Sequence, residues 1–375
     1  VVKEELAAYG LTLTDWLFKD VTVWTATLHG IVGLFIPLLG ATFMVRWSGG
    51  RLSDVKDAAP SLLLAGVSFV VPYYILARFT GPYFPSLLGA AVGLVIYSLI
   101  LKAGILTPSR VWDFSESGKV AVEEEWPSIR NFKVSEAIVP YALVVAGLLV
   151  TRLIPGVTAF TKSLAISIPA ILGTTLAHKF TPLYNPGTIF VIAVLINNVI
   201  FKLGREHATY TFSTTIKRVI PAAIALIFAV ALSQVMMNSG HNESGMGSML
   251  QVMAESVAVV TGKYYIFLAV FVGILGAYMA GSNTVSNILF GGFQYEIGGM
   301  INVPKTIIAA LQNVGGAVGN MICVFNVVAV CTTVGILGEE GLVIRRNLLP
   351  TAIYGILAGI LAALAVFVFR VGFII

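Results

Sequence analysis

The chain has 375 residues, of which 57% are hydrophobic and only 11% charged; that is less than half the charge of an ordinary soluble domain and reads as an integral membrane protein. Its formal net charge of +5 does not imply nucleic acid, because the lysines and arginines lie between apolar stretches and form no basic stripe interleaved with aromatics. Apolar stretches recur near the ~20 residues that a helix needs to cross hydrocarbon, without the alternation of barrel strands, so the expected fold is all-α and polytopic.

Segment 1–20 is mixed and amphipathic, lacks the apolar core and small-residue cleavage site of a signal peptide, and is expected to lie at the membrane interface. Since the first residue is Val1 and not methionine, the sequence reads as a fragment. Residues 21–101 hold three expected spans, Val21–Val45, Pro60–Ala77 and Tyr83–Leu101, the first closed by a basic loop at 46–56. The hydrophilic stretch 102–135 has nearly balanced charge and reads as a solvated loop. In region 136–375 a fourth span covers Glu136–Val150. Pro155, Pro169, Pro182 and Pro186 then mark an irregular or re-entrant segment. A fifth span, Gly187–Phe201, and a sixth, Val219–Met237, flank a basic loop at 202–218. A last span, Thr351–Phe369, follows a loop at 338–349 that carries Arg345 and Arg346. Placing loops 46–56, 102–135, 202–218 and 338–349 in the cytoplasm puts most lysines and arginines inside, as membrane orientation favours.

Two polar clusters interrupt the apolar sequence between the sixth and last spans. They are Gly281-Ser282-Asn283-Thr284-Val285-Ser286-Asn287 and Gly315-Gly316-Ala317-Val318-Gly319-Asn320. Lipid cannot satisfy broken backbone, so such runs persist only inside protein or beside a watery cavity, the layout of a carrier's binding site. The charge pattern makes 263–300 a re-entrant hairpin with Ser282–Asn287 at its tip, followed by one interrupted crossing helix at 304–337. The alternative is that Lys263–Gly281 crosses fully and the remainder folds back. A half-helix starting at the tip would aim its positive end at a carboxylate, with Ser282, Asn283, Thr284, Ser286 and Asn287 supplying hydrogen bonds. Gly315, Gly316 and Gly319 would permit unwinding and close approach, with Asn320 opening the next half-helix; helix–helix contact alone is the competing reading of both clusters.

His29, inside the first span, and Glu255 are the proton-coupling candidates, although a satisfied neutral imidazole and the polar side of an interfacial helix explain them as well. Cys323 and Cys331 read as buried structural residues, not a metal or redox pair. No metal site, nucleotide loop or nucleophile with its base can be assembled, so no enzyme and no cofactor is expected.

The first cluster, continued through Ile288-Leu289-Phe290, is similar to the G-S-[DN]-T-x-S-N-x-L-F of the lactate permease family, and Gly315 to Ile322 resembles its G-G-x-x-G-[KN]-M-I. Val334 to Glu340 resembles V-G-L-x-G-[KR]-E, with Glu339 in place of the usual basic residue. The resemblance implies a proton-coupled lactate or glycolate carrier of the ion transporter superfamily, built from inverted repeats. This chain would correspond to its C-terminal two-thirds, with the first repeat largely missing. It also implies the inner membrane, a small monocarboxylate as partner and a proton as coupling ion, with sodium left open. The competing expectations are a sodium-coupled dicarboxylate or gluconate carrier, a truncated remnant, or, less consistent with polarity concentrated at two breaks, a channel. Oligomeric state is not legible.

Overall fold

The fold comes from a computed structural model, which describes residues 6–7, 10, 12–109, 134–169, 178–202, 204–334, 336 and 338–371. Most of the expected loop 102–135, the middle of the proline-rich segment and positions 335 and 337 lie outside the described residues. The chain divides into two compact units, 1–122 with 223–375, and 123–222.

In the first unit, a capped turn at Leu13–Asp15 and a π-helical turn at Trp16–Val21 run directly into α1, Thr22–Gly33. The end of segment 1–20 is therefore continuous with the first helix. Its Trp16 is buried and donates its indole N–H to Thr306 Oγ1 at 2.8 Å. The expected single span Val21–Val45 is instead two helices, α1 and α2 (Ile36–Trp47), bent by 41°. Pro37, in the first turn of α2, has no N–H to offer the Gly33 carbonyl, and Phe35 N–H bonds back only to Val32 O at 3.1 Å. A short α3, Leu52–Lys56, leads to α4, Ala59–Thr80, and α5, Pro85–Lys102. Gly81, at φ +72°, makes the turn between them. Gly89 and Gly93, one helical turn apart, bring α5 onto the α4 backbone: a Cβ at Gly93 would lie 2.7 Å from Ser68 O. This is the small-residue packing that holds helices together where lipid offers no hydrophobic drive.

The second unit contains α6, Val134–Leu153, and α7, Pro155–Ser163, which meet at an 88° bend where Ile154 is extended ahead of Pro155. Strands β1, Ile166–Ile168, and β2, His178–Phe180, pair antiparallel with Ser167 opposite Lys179. Helix α8, Pro186–Ile200, is capped by Asn185. Helix α9, Arg205–Asn238, begins in this unit and ends in the first. It corrects the loop expected at 202–218: nothing between Arg205 and Val219 is a glycine or proline, so charge alone does not stop the helix.

Beyond it come α10, Met249–Thr261; α11, Tyr265–Ala280; α12, Asn283–Met300; α13, Lys305–Val318; α14, Val324–Val334; and α15, Glu340–Ala363. The last corrects the loop at 338–349, which is helical from Glu340 onward, with Arg346 set 5.7 Å over the Trp47 ring. Between α11 and α12 the chain turns on Gly281 (φ +69°) and Ser282, which is extended and caps α12. Helix α12 then runs back along α11, since Ser286 Oγ meets Gly273 O and Gln294 Nε2 meets Ala269 O. The break falls at the first polar cluster, where the hairpin tip was expected. Helix α11 is also continuous with α10 as a 32-residue apolar stretch, Met249–Ala280, long enough to cross a bilayer.

The interruption in the following helix lies lower than expected. Gly315 and Gly316 are inside α13, and the irregular stretch is the 3₁₀ turn Gly319–Met321 with Ile322 and Cys323. The glycines serve closeness, not unwinding: a Cβ on Gly315 would overlap Val270 O, and one on Gly319 would overlap Ile274 O. Around this α11–α13 contact, Ile266, Ala269, Ile307, Leu311, Val314, Ala358 and Ala362 are completely buried. Among the described residues five helices are long and apolar enough to cross a membrane, or up to seven if each bent pair is one span.

Candidate functional site

Helix α12 starts at the hairpin tip, and Asn283 and Asn287 stand one turn apart on it, on one face. Facing them from α13 are Gln312 and Asn313. Asn313 Oδ1 accepts from Asn283 Nδ2 at 3.0 Å and from Asn287 Nδ2 at 2.9 Å. Its own Nδ2 lies 3.5 Å from Thr25 Oγ1 of α1.

The direction of these bonds follows from a main-chain carbonyl, which can only accept. Ala269 O takes a hydrogen bond from Gln294 Nε2 at 2.7 Å, so the other amide atom, Oε1, faces the Tyr265 hydroxyl at 2.9 Å. Gln294 Nε2 also donates to Gln312 Oε1 at 3.0 Å. Gln312 must then present Nε2 to Ser286 Oγ (3.0 Å) and to Asn287 Oδ1 (3.3 Å). Ser286 passes its own proton to Gly273 O at 2.8 Å. Asn287 is left to donate through Nδ2, which makes the near atom of Asn313 its oxygen, and Asn283 donates to the same oxygen. A buried chain of amides thus ends in two N–H groups converging on one acceptor position. Asn283 Oδ1 is buried, without a hydrogen-bond partner, and rests against Gly316, where a Cβ would overlap it.

Two cavities meet at this cluster. One, of about 940 Å³, is lined by Trp16, Gln251, Asn287, Tyr295, Glu296 and Asn313 among others. The other, of about 680 Å³, is lined by Thr25, His29, Tyr73, Asn283, Asn313 and Tyr354 among others. Asn313 borders both, while Asn287 faces only the first and Asn283 only the second. No lysine or arginine lines either among the described residues; the first cavity carries the carboxylate of Glu296, and the second carries no acidic side chain, so an anion beside Asn283 would meet neutral donors. His29 Nδ1 lies 2.6 Å from the Tyr354 hydroxyl on the wall of the second cavity. No group of His, Cys, Asp or Glu among the described residues could hold a metal ion.

A family model described as L-lactate permease matches residues 7–369. The chain belongs to the L-lactate permease family. A Haemophilus influenzae relative is 29% identical over 93% of this chain and 66% of its own length. The L-lactate permease of Salmonella typhimurium is 26% identical over 87% of the chain and 60% of its own length. The glycolate permease of Escherichia coli K12 is 25% identical over 90% of the chain and 63% of its own length. The chain therefore spans about two-thirds or less of these relatives. No solved structure matches it.

In this lactate permease family chain the structure separates residues that the sequence had grouped together. Asn283 and Asn287 face the cavities, whereas Ser286 is buried in the amide chain and Ser282 is occupied in capping, accepting from Val285 N–H at 3.4 Å. Thr284 is exposed and lines neither cavity. Gly315 and Gly319 pack against α11 while Gly316 makes room for Asn283. Asn320 does not start the next half-helix. It sits in the 3₁₀ turn, donating to Gly316 O at 3.0 Å and accepting from Asn326 at 2.8 Å. Of the proton-coupling candidates, His29 joins the second cavity and Glu255 is exposed on α10, lining neither. Cys323 and Cys331 are buried free thiols. Sequence reasoning missed Gln294, Gln312, Asn313 and Thr25. The signal was present in Gln312-Asn313, two amides inside an otherwise apolar helix turn, where lipid offers no partner.

Proposed function

We propose that the protein is a secondary carrier of lactate, glycolate or a related small 2-hydroxy monocarboxylate. Coupling is to protons, and the location is the cytoplasmic (inner) membrane, with the basic segments 46–56, 102–135, 202–218 and 338–349 on the cytoplasmic side. The observation that carries this reading is the paired amide donors of Asn283 and Asn287 at the start of α12, between two cavities without lysine or arginine. A helix N-terminus and converging N–H groups suit one carboxylate; a dicarboxylate would call for further cationic donors. The names of the relatives support the same substrate class.

Proton coupling follows from the energetics of an anion. An inside-negative potential opposes entry of one negative charge by about 2.3 kcal/mol per 100 mV. A lactate carried with one proton is neutral, and a pH difference then drives it by about 1.4 kcal/mol per unit. Of the two candidates, His29 is the better placed to hold that proton, because it shares a cavity with Asn283 and Glu255 lines neither cavity. Uptake of labelled lactate into proteoliposomes, using the protein as its own gene encodes it, tests the reading. A pH gradient should drive accumulation and a sodium gradient should not. Accumulation that ignores the pH gradient refutes proton coupling, and accumulation driven by sodium favours the dicarboxylate-type carrier.

A further inference from the structure

The side-chain oxygen of Asn313 fills the acceptor position in front of the amides of Asn283 and Asn287. Two donors one turn apart on α12 converge on it at 3.0 and 2.9 Å. The amide chain running back to Ala269 O prevents Asn287 from reversing its polarity, so in the empty site its N–H needs an acceptor from somewhere. Asn313 provides it, and Asn313 is also the amide that borders both cavities.

We propose that Asn313 is an internal stand-in for substrate: its side-chain oxygen satisfies the Asn283 and Asn287 donors when the site is empty, and a substrate carboxylate takes its place. The inference rests on the carboxylate-carrier reading and adds a competitor to the site. Binding then exchanges one acceptor for another at the same donors, so no buried N–H is left unpaired at any stage. The released Asn313 amide turns toward Thr25, whose hydroxyl already lies 3.5 Å from its Nδ2. Because Asn313 borders both cavities, its displacement also changes the polar wall that they share at the moment the substrate is held. Asn313 is thus a specificity-determining residue. It sets a threshold that only a good hydrogen-bond acceptor passes, and alcohols or amides of the same size do not.

The test is equilibrium binding of labelled L-lactate to the purified protein, as its gene encodes it, at neutral pH. It compares Asn283→Ala, Asn287→Ala, Asn313→Ala, Asn313→Ser and Asn313→Asp with the unsubstituted protein. Removing a competitor raises apparent affinity by the reciprocal of the fraction of sites it left open. Asn313→Ala and Asn313→Ser should therefore bind lactate about three- to tenfold more tightly, the release of ordinary hydrogen bonds. Asn283→Ala and Asn287→Ala should each bind about tenfold or more weakly. Asn313→Asp, which ties a carboxylate permanently to the donors, should bind no lactate while melting at or above the temperature of the unsubstituted protein. Equal or weaker lactate binding in both Asn313→Ala and Asn313→Ser, with the unsubstituted protein binding normally, overturns the stand-in and leaves the carrier reading intact. Failure of every form to bind lactate overturns both.

Discussion

Gly315 and Gly316 are adjacent in α13, yet alanine at the two positions should fail in opposite ways. At Gly315 the new Cβ would overlap the main-chain oxygen of Val270, which can yield only if α11 moves as a body. Overpacking of that kind costs about 1–3 kcal/mol, against about 1 kcal/mol gained by replacing a helical glycine, so Gly315→Ala should be destabilised by up to about 2 kcal/mol. At Gly316 the Cβ would overlap Asn283 Oδ1, the end of a side chain that can rotate away. The loss there is the Asn283–Asn313 hydrogen bond, worth about 0.5–1.5 kcal/mol net, and the helix gain nearly cancels it. Thermal unfolding in detergent should find Gly316→Ala close to the unsubstituted protein and Gly315→Ala clearly lower. Lactate uptake should reverse the order of damage, with Gly316→Ala losing about tenfold or more because one donor of the pair has been turned out. Full uptake by Gly316→Ala, or a stability loss equal to that of Gly315→Ala, refutes the assignment of Gly316 to the site.

Gln312→Leu strands one N–H of Gln294 in buried surroundings, at about 1–3 kcal/mol, and takes the donor away from Asn287 Oδ1. Melting temperature and uptake should fall together, and a variant that keeps both shows the amide chain to be dispensable. Tyr354→Phe removes the hydroxyl 2.6 Å from His29 Nδ1; with His29→Asn, it should reduce pH-driven accumulation while sparing lactate exchange across the membrane without a gradient, and equal loss of both activities refutes a proton role. Trp16→Phe and Thr306→Val each break the 2.8 Å bond that ties the start of the chain to α13. Each should lower stability by about 0.5–1.5 kcal/mol, and the double variant should add little beyond one of them; full additivity in unfolding would show that the bond contributes nothing.

Much of the fold could be read because lipid imposes a strict rule on the backbone. The hairpin break was legible since Gly281 and the capping Ser282 are the residues that end one helix and begin another. Basic segments misled where charge was taken for loop. Arg205–Lys217 and Arg345-Arg346 carry charge in sequence with little to stop a helix, and hydropathy reports burial in lipid, not helix ends. The paired glycines misled in another way, because close approach and unwinding use the same residue, and only the neighbour, here Val270 O, tells them apart. Half of the site was legible as Asn283 and Asn287. Its partner Asn313 was not, because which helix faces α12, and at what register, is decided by the contact of α11 with α13 and leaves no local mark beyond two amides in an apolar turn.

The carbonyl of Ala269 has a reach far beyond its own hydrogen bond. No side-chain substitution at position 269 can invert a peptide oxygen, so the polarity handed along Gln294 and Gln312 to Asn287 is inherited from a group that mutation does not change. A descendant of this protein could enlarge its cavities or trade His29 for another residue by single steps. Only a substitution of a relay side chain itself, at Gln294, Gln312 or Asn287, could change the direction in which these amides point.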